Sequence, residues 1–305
     1  MPTDPAINDR QRPAPGDAWV FAGDSRVAGI APDDRTLGYG DGLFETMRAH
    51  RGTLPWWDAH WRRLQLGAMA LRIPLPQHDQ VHAQVLRLLD GGDGVLKLQL
   101  GRGSGGRGYA PLAAPVPTWI LSRHPLPPVT PAGGLVLRWC DTRLSLQPLL
   151  AGLKHCNRLE QVLARLEWQA EDTTDGDADE GLMRSTEGDV VSATAANLFV
   201  LHGRRWRTPL LDRCGVAGTC RRWLLDHFDI ETGRLSVTDI ETADAVVLTN
   251  AVRGILPVAR LGKRRWSPHP AVAEWHDRLG HSHAAFAAAD RDPRSDRPSS
   301  PMELP

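Results

Sequence analysis

Lys154 stands immediately before a segment with helical apolar spacing, in the stretch Leu153-Lys154-His155-Cys156-Asn157-Arg158-Leu159-Glu160-Gln161. Leu159, Val162, Leu163 and Leu166 supply that spacing. Asn157 suits an N-cap and Glu160, three residues on, completes a capping-box pattern, so the helix is expected to open at Asn157. A lysine on a short connection into a helix can aim its amine into a cleft. There it is a nucleophile or a general base only if burial or neighbouring cations depress its pKa. Otherwise it is a solvated surface charge, the commoner state of lysine. Anion-binding features accompany it. A loop opened by Thr208-Pro209 runs through Asp212 and Gly215 to Gly218-Thr219-Cys220-Arg221, where Trp223, Leu224 and Phe228 mark a helix. The first amides of that helix form a ready anion site. Together with an arginine from early in the chain, these groups suit a phosphorylated aldehyde.

The elements that must position these groups follow from periodicity and turn residues. A strand at Trp19-Val20-Phe21, a turn at Gly23-Asp24-Ser25 and a second strand near Val27 open the chain. Glycines 38, 40 and 42 permit a tight backbone before Leu43 and Phe44. A helix from Asp58 carries Trp61, Leu64, Ala68 and Leu71 on one stripe, with Arg62 and Arg63 in its first turns. A second helix spans 78–89 and ends at Gly91-Gly92. A buried strand at 94–100 delivers the chain to Arg102-Gly103-Ser104-Gly105-Gly106-Arg107-Gly108-Tyr109. No helix follows this glycine-rich loop, so it fails the context of a dinucleotide fingerprint. A mobile active-site loop aiming arginines at anions fits better. After a strand at 118–121, the four prolines of 124–131 mark an interdomain linker. Beyond it, strands at 135–139, 181–184, 190–191 and 245–248 alternate with helices at 159–170, after Thr219 and at 270–289. An acidic loop occupies 171–180. The expected fold is α+β with two domains, 17–123 and 132–289, and a cleft between them. Residues 1–16 and 290–305 are expected to be a disordered arm and tail.

Composition excludes several classes of function. The 305 residues carry 36 basic and 36 acidic side chains, which argues against a dedicated nucleic-acid or acidic-membrane surface. No apolar run approaches the ~18 residues of a membrane helix. The polar, proline-rich start lacks an apolar signal core, which points to a cytoplasmic protein. Cys140, Cys156, Cys214 and Cys220 show neither CxxC pairs nor zinc spacing, so free thiols in a reducing compartment are expected.

From about Trp19 to His283 the chain resembles the fold-type-IV pyridoxal-phosphate enzymes, the D-amino-acid aminotransferase-like group. Six ordered motifs carry the resemblance. They are Tyr39-Gly40-Asp41-Gly42-Leu43-Phe44, His60-Trp61-Arg62-Arg63-Leu64, Lys154 with Asn157 to Gln161, Ala196-Asn197-Leu198-Phe199, Thr208-Pro209 to Gly218-Thr219, and Asn250-Ala251-Val252-Arg253-Gly254. The glycine-rich loop and the lysine stretch are most similar to those of the 4-amino-4-deoxychorismate lyases. That resemblance implies pyridoxal 5'-phosphate as cofactor, Lys154 as the Schiff-base lysine and Arg63 as the phosphate partner. It implies further that the amides of Thr219 and Cys220 and the Asn250-Ala251 turn complete the phosphate cup. Tyr39, Arg107, Tyr109 and Arg253 would face the substrate, the arginines suiting its two carboxylates. A homodimer is implied, with loops of one subunit bordering the other's pocket.

Two departures from the family pattern matter. Ser192 stands where glutamate is usual opposite the cofactor's ring nitrogen, with Glu187 in the preceding turn as the alternative partner. A hydroxyl weakens the electron sink, which harms an aminotransferase more than an elimination ending in an aromatic ring. Ala251 replaces a common phosphate-binding hydroxyl, leaving only its amide. The rival expectations are a branched-chain or D-amino-acid aminotransferase of the same fold, and a degenerate, cofactor-free binding protein.

Overall fold

The computed structural model describes residues 17–131, 133–168 and 178–287. The expected arm 1–16, most of the acidic loop and the tail 290–305 lie outside the described residues. The architecture is α+β, built on two sheets.

The first sheet holds β1 (Ala18–Ala22), β2 (Ser25–Val27), β3 (Gly42–Ala49), β4 (Gly94–Gly101) and β5 (Thr118–His124), in the order β2-β1-β5-β4-β3. All its pairs are antiparallel, and β3 meets β4 from Gly42 opposite Gly101 to Ala49 opposite Gly94. Between β2 and β3 lies the short α1 (Arg35–Tyr39); α2 (Trp57–Leu71) and α3 (His78–Leu89) follow β3. Strand alternation gives β3 two faces. Leu43 and Met47 join Leu64 and Ala68 of α2 in one apolar cluster. Phe44, Thr46 and Arg48 stand on the opposite face.

The second sheet begins after the proline-rich stretch. It holds β6 (Leu135–Leu144), β7 (Glu180–Ser185), β8 (Val190–Ala193), β9 (Asn197–His202), β10 (Arg205–Pro209), β11 (Ile230–Gly233), β12 (Ala245–Asn250), β13 (Gly254–Leu261) and β14 (Arg264–Arg265). Their order is β11-β10-β9-β12-β13-β6-β7-β8, with β14 paired to β13. The central β9 and β12 are nearly all apolar and buried, as strands covered on both faces must be. Helices α4 (Leu159–Leu166), α5 (Thr219–His227), α6 (Val237–Glu241) and α7 (Pro270–Ser282) complete the chain.

Several expectations change. The α4 helix has Arg158 at its N-cap with no side-chain cap bond, so the Asn157–Glu160 capping box does not form. Glu160 instead accepts from the Ser145 amide at 2.7 Å. The helix ends at Leu166 rather than Ala170, and its apolar residues Leu159, Val162, Leu163 and Leu166 are all exposed in the single chain. The final helix stops at Ser282, short of 289, and a 3-10 turn over Ala284–Phe286 follows. Thr208-Pro209 ends β10 rather than opening a loop.

Candidate active site

Lys154 lies on a short strap stitched to its surroundings on both sides. The Phe44 amide donates to the Lys154 carbonyl at 2.9 Å, and the Cys156 amide to the Gly42 carbonyl at 2.9 Å. The strap therefore satisfies the free edge of β3, which would otherwise expose unpaired backbone groups. On its other side the Gly152 amide donates to Gly215 and the Ala217 amide to Gly152, both at 3.0 Å. The lysine backbone is thus fixed between the first sheet and the connection that feeds α5.

The side chain of Lys154 enters a cavity of about 420 Å³. Its walls come from β3 (Phe44, Thr46), the end of β8 and start of β9 (Ser192 to Asn197), the approach to α5 (Gly215, Val216, Gly218, Thr219) and the end of β12 with its turn (Thr249 to Arg253). Arg63, Arg158, Gln161 and Pro127 complete the lining. Burial, then the nearby Arg63 charge, lowers the Lys154 pKa to about 7, with Arg158 and Lys97 adding to the push and Glu45 opposing it. Near neutral pH a large share of the amine is therefore unprotonated, as nucleophilic and general-base roles require. Among the described residues, no carboxylate borders this cavity, whereas four basic side chains do: Arg63, Lys154, Arg158 and Arg253. Such a hollow suits a ligand carrying several negative charges.

One end of the cavity offers helix-start amides and a guanidinium, groups that suit an anion. Gly218 caps α5 without a side-chain bond, leaving the first amides of the helix free of a side-chain partner. The cup is close-packed: a Cβ at Gly218 would stand 2.0 Å from Asn197 Oδ1. Asn197 is itself held by donation to the Val216 carbonyl at 2.8 Å. Arg63 closes the cup, donating from Nη1 to the Ala217 carbonyl at 2.9 Å. The Asn250 side chain accepts from the amides of Val252 at 3.1 Å and Arg253 at 2.8 Å, which shapes the turn where Ala251 stands. Arg253 donates to Thr130 at 3.2 Å, while among the described residues its buried Nε has no partner.

The expected residues divide. Lys154, Arg63, Ser192, Thr219, Asn250, Ala251 and Arg253 all border the cavity. Cys220 lies one residue behind Thr219 with its side chain fully buried, its thiol pushed up to about 12 by burial. Tyr39, Arg107 and Tyr109 do not border this chain's own cavity. They gather elsewhere, with the two tyrosine rings 5.5 Å apart and Arg35 donating to the carbonyls of Gly108 at 3.0 Å and Tyr109 at 2.8 Å. Asp41, between Arg35 and Arg102, anchors that arrangement. Glu187 is engaged by Arg213 and is absent from the cavity wall, so Ser192 is the residue that faces inward.

Four contributors escaped the sequence reading. Arg158 was visible only as part of a motif, yet it borders the cavity and braces the strap by donating to the carbonyls of His155 at 3.0 Å and Leu153 at 3.2 Å. Phe44 lies against the lysine. Thr194 borders the cavity and donates to Glu180 behind it. Glu45, on the buried face of β3, holds Arg63. For Glu45 the available signal was a lone acid in an apolar strand facing a helix that presents arginine. Among the described residues, no cluster has the composition of a metal site and no helix is long and apolar enough to cross a membrane.

Comparison with known proteins agrees with this geometry. The model of the amino-transferase class IV family matches residues 42–261. An aminodeoxychorismate lyase of Vibrio harveyi is 36% identical over 236 residues, covering 74% of this chain and 85% of that protein. The crystal structure of 4-amino-4-deoxychorismate lyase from Pseudomonas aeruginosa superposes with a TM-score of 0.77 at 38% identity, covering 87% of this chain and 98% of that one. A putative branched-chain-amino-acid aminotransferase of Methanocaldococcus jannaschii is more distant, 27% identical over 251 residues and covering 79% of this chain and 85% of that protein. The matched span contains both Lys154 and the helix that opens at Thr219, and the chain belongs to the amino-transferase class IV family.

Proposed function

We propose that the chain is a pyridoxal 5'-phosphate-dependent lyase that converts 4-amino-4-deoxychorismate to 4-aminobenzoate and pyruvate, a step toward folate. One observation carries the reading: a lysine of lowered pKa faces a cavity lined, among the described residues, by three arginines and no carboxylate. Such a lining fits a phosphorylated cofactor together with a substrate bearing two carboxylates, and fits a monocarboxylate amino acid less well. The similarity to the two lyases supports the same choice.

Arg63, the first amides of α5 and the Asn250-Ala251 turn would hold the phosphate, and Ser192 would face the ring nitrogen. When bound, the cofactor supplies an aldehyde that Lys154 can trap and a ring that accepts electrons. With the cofactor held there, Lys154 Nζ would take the proton from the amine-bearing ring carbon of the substrate. The same nitrogen then stands ready to return a proton to the departing enolpyruvyl group. Arg158 and Arg253 orient the carboxylates. Phe44 covers one side of the amine and keeps water from it.

We further read the protein as a cytoplasmic homodimer with a domain boundary at 124–131. The exposed apolar face of α4 and the exposed Tyr39 and Tyr109 suit contact with a second copy, whose pocket Tyr39, Arg107 and Tyr109 would border. The test is product formation. Pure protein given aminodeoxychorismate without an amino acceptor is expected to release pyruvate and 4-aminobenzoate in equal amounts. Turnover that instead requires a keto-acid acceptor would establish the aminotransferase.

A further inference from the structure

Glu45 is a carboxylate with 1% of its side chain exposed, on the core face of β3, where the neighbouring inward positions are Leu43 and Met47. Its Oε1 accepts from Arg63 Nε at 2.7 Å, and its Oε2 accepts from Arg63 Nη2 and from His60 Nδ1, the latter at 2.5 Å. His60 is as deeply buried, and burial lowers its pKa against the pull of Glu45. Burial opposes ionisation of Glu45, yet the Arg63 charge and His60 hold its pKa down to about 2. The trio is thus a carboxylate, a guanidinium and an imidazole that donates through Nδ1–H.

Burying such a trio is costly, and apolar residues of the same volume serve stability as well or better. Its placement suggests what it is for. A guanidinium has five N–H groups. Glu45 takes the Nε–H and one on Nη2, and the Ala217 carbonyl takes one on Nη1. One N–H remains on each terminal nitrogen of a side chain that borders the phosphate end of the cavity. The other two arginines of the cavity are held differently, Arg158 by carbonyls and Arg253 by a hydroxyl, so their charge stays available to mobile carboxylates.

We propose that Glu45 is a positioning residue: held by His60, it clamps Arg63 into a fixed two-donor fork for the cofactor's phosphate. The proposal rests on the cofactor reading above. Glu45 does not border the cavity, and its hold on the phosphate is exerted through Arg63.

The experiment titrates the apoprotein with pyridoxal 5'-phosphate and, separately, with pyridoxal, following visible absorbance and tryptophan quenching. E45Q is expected to weaken the phosphorylated ligand about 10-fold to 100-fold while leaving pyridoxal within about 2-fold, because only a charge-assisted phosphate contact is lost. In an R63M background, E45Q is expected to cause no further loss, the mark of two residues acting as one unit. Unchanged affinity for the phosphorylated ligand in E45Q, or equal weakening of both ligands, would overturn the proposal. A wild-type protein that binds neither ligand would instead overturn the cofactor reading. Should E45Q be too unstable to titrate, E45D keeps the charge but withdraws it by one methylene. It is then expected to lose most of the rise in melting temperature that inorganic phosphate gives the wild type, and a full rise overturns the proposal.

Discussion

The Lys154 nitrogen stands 4.2 Å from the centre of the Phe44 ring, while the backbones of the same two residues share a hydrogen bond of 2.9 Å. The ring removes water from one side of the amine, and the backbone bond prevents the lysine from drifting away from it. Desolvation is the largest cause of the lowered Lys154 pKa, and the Phe44 ring is part of the surface that buries the amine.

Replacing Lys154 with alanine is expected to remove the borohydride-reducible cofactor adduct and to lower pyruvate release about 10³-fold or more, as loss of a nucleophile that doubles as base does. Mass spectrometry after borohydride treatment checks the first effect and a coupled pyruvate assay the second.

The pH dependence follows from the sign of the shift. With the Lys154 pKa lowered to about 7, the rate at which apoprotein captures the aldehyde is expected to rise with pH and level off above about pH 8. An ordinary lysine would keep the rate climbing past pH 10. Arg158→Met removes one of the charges that disfavour the ammonium, so its plateau is expected at higher pH. For stability, the folded apoprotein binds fewer protons than the unfolded chain between about pH 7 and the ordinary lysine value of 10.5, so this group's contribution falls as pH drops through that window. Stopped-flow capture and apoprotein melting across pH measure the two effects.

Gly218→Ala is expected to damage the phosphate cup without any backbone strain, since the new Cβ would meet Asn197 Oδ1 at 2.0 Å. Overpacking of this kind costs about 1–3 kcal/mol. Cofactor affinity and melting temperature should both fall, as titration and calorimetry would record.

Ser192→Glu places a carboxylate where the cavity now has none. It is expected to raise amino-group transfer from amino acids relative to pyruvate release from aminodeoxychorismate. The ratio of the two product yields, measured on one preparation, decides it.

Double substitution of Leu159 and Leu163 by glutamate adds two charges to the exposed face of α4. If that face joins two copies, light scattering is expected to show monomers. Activity is expected to fall, although neither residue borders the cavity.

The legible part of the protein was what local pattern controls. Helix 78–89 was predicted with its observed bounds, and Thr219 begins its helix as expected because glycine and loop residues end where apolar periodicity starts. Lys154, Arg63 and Arg253, singled out through motifs, all border the cavity. Tertiary choices were not legible. Glu160 fits a capping box by spacing, but the Ser145 amide, fifteen residues away, takes its carboxylate. The face of α4 reads as a core stripe yet is exposed in the single chain, since a sequence does not say whether a partner's surface covers it. Glu45 and His60 matter because a strand and a helix cross there, and neither periodicity records that crossing.

The strap through Lys154 has one more consequence, for motion. Its bonds to Gly42 and Phe44 on one side and to Gly215 and Ala217 on the other tie the first sheet to the connection that feeds α5, beside Lys154 itself. The first sheet therefore cannot swing away from that connection like the cover of a book without displacing Lys154.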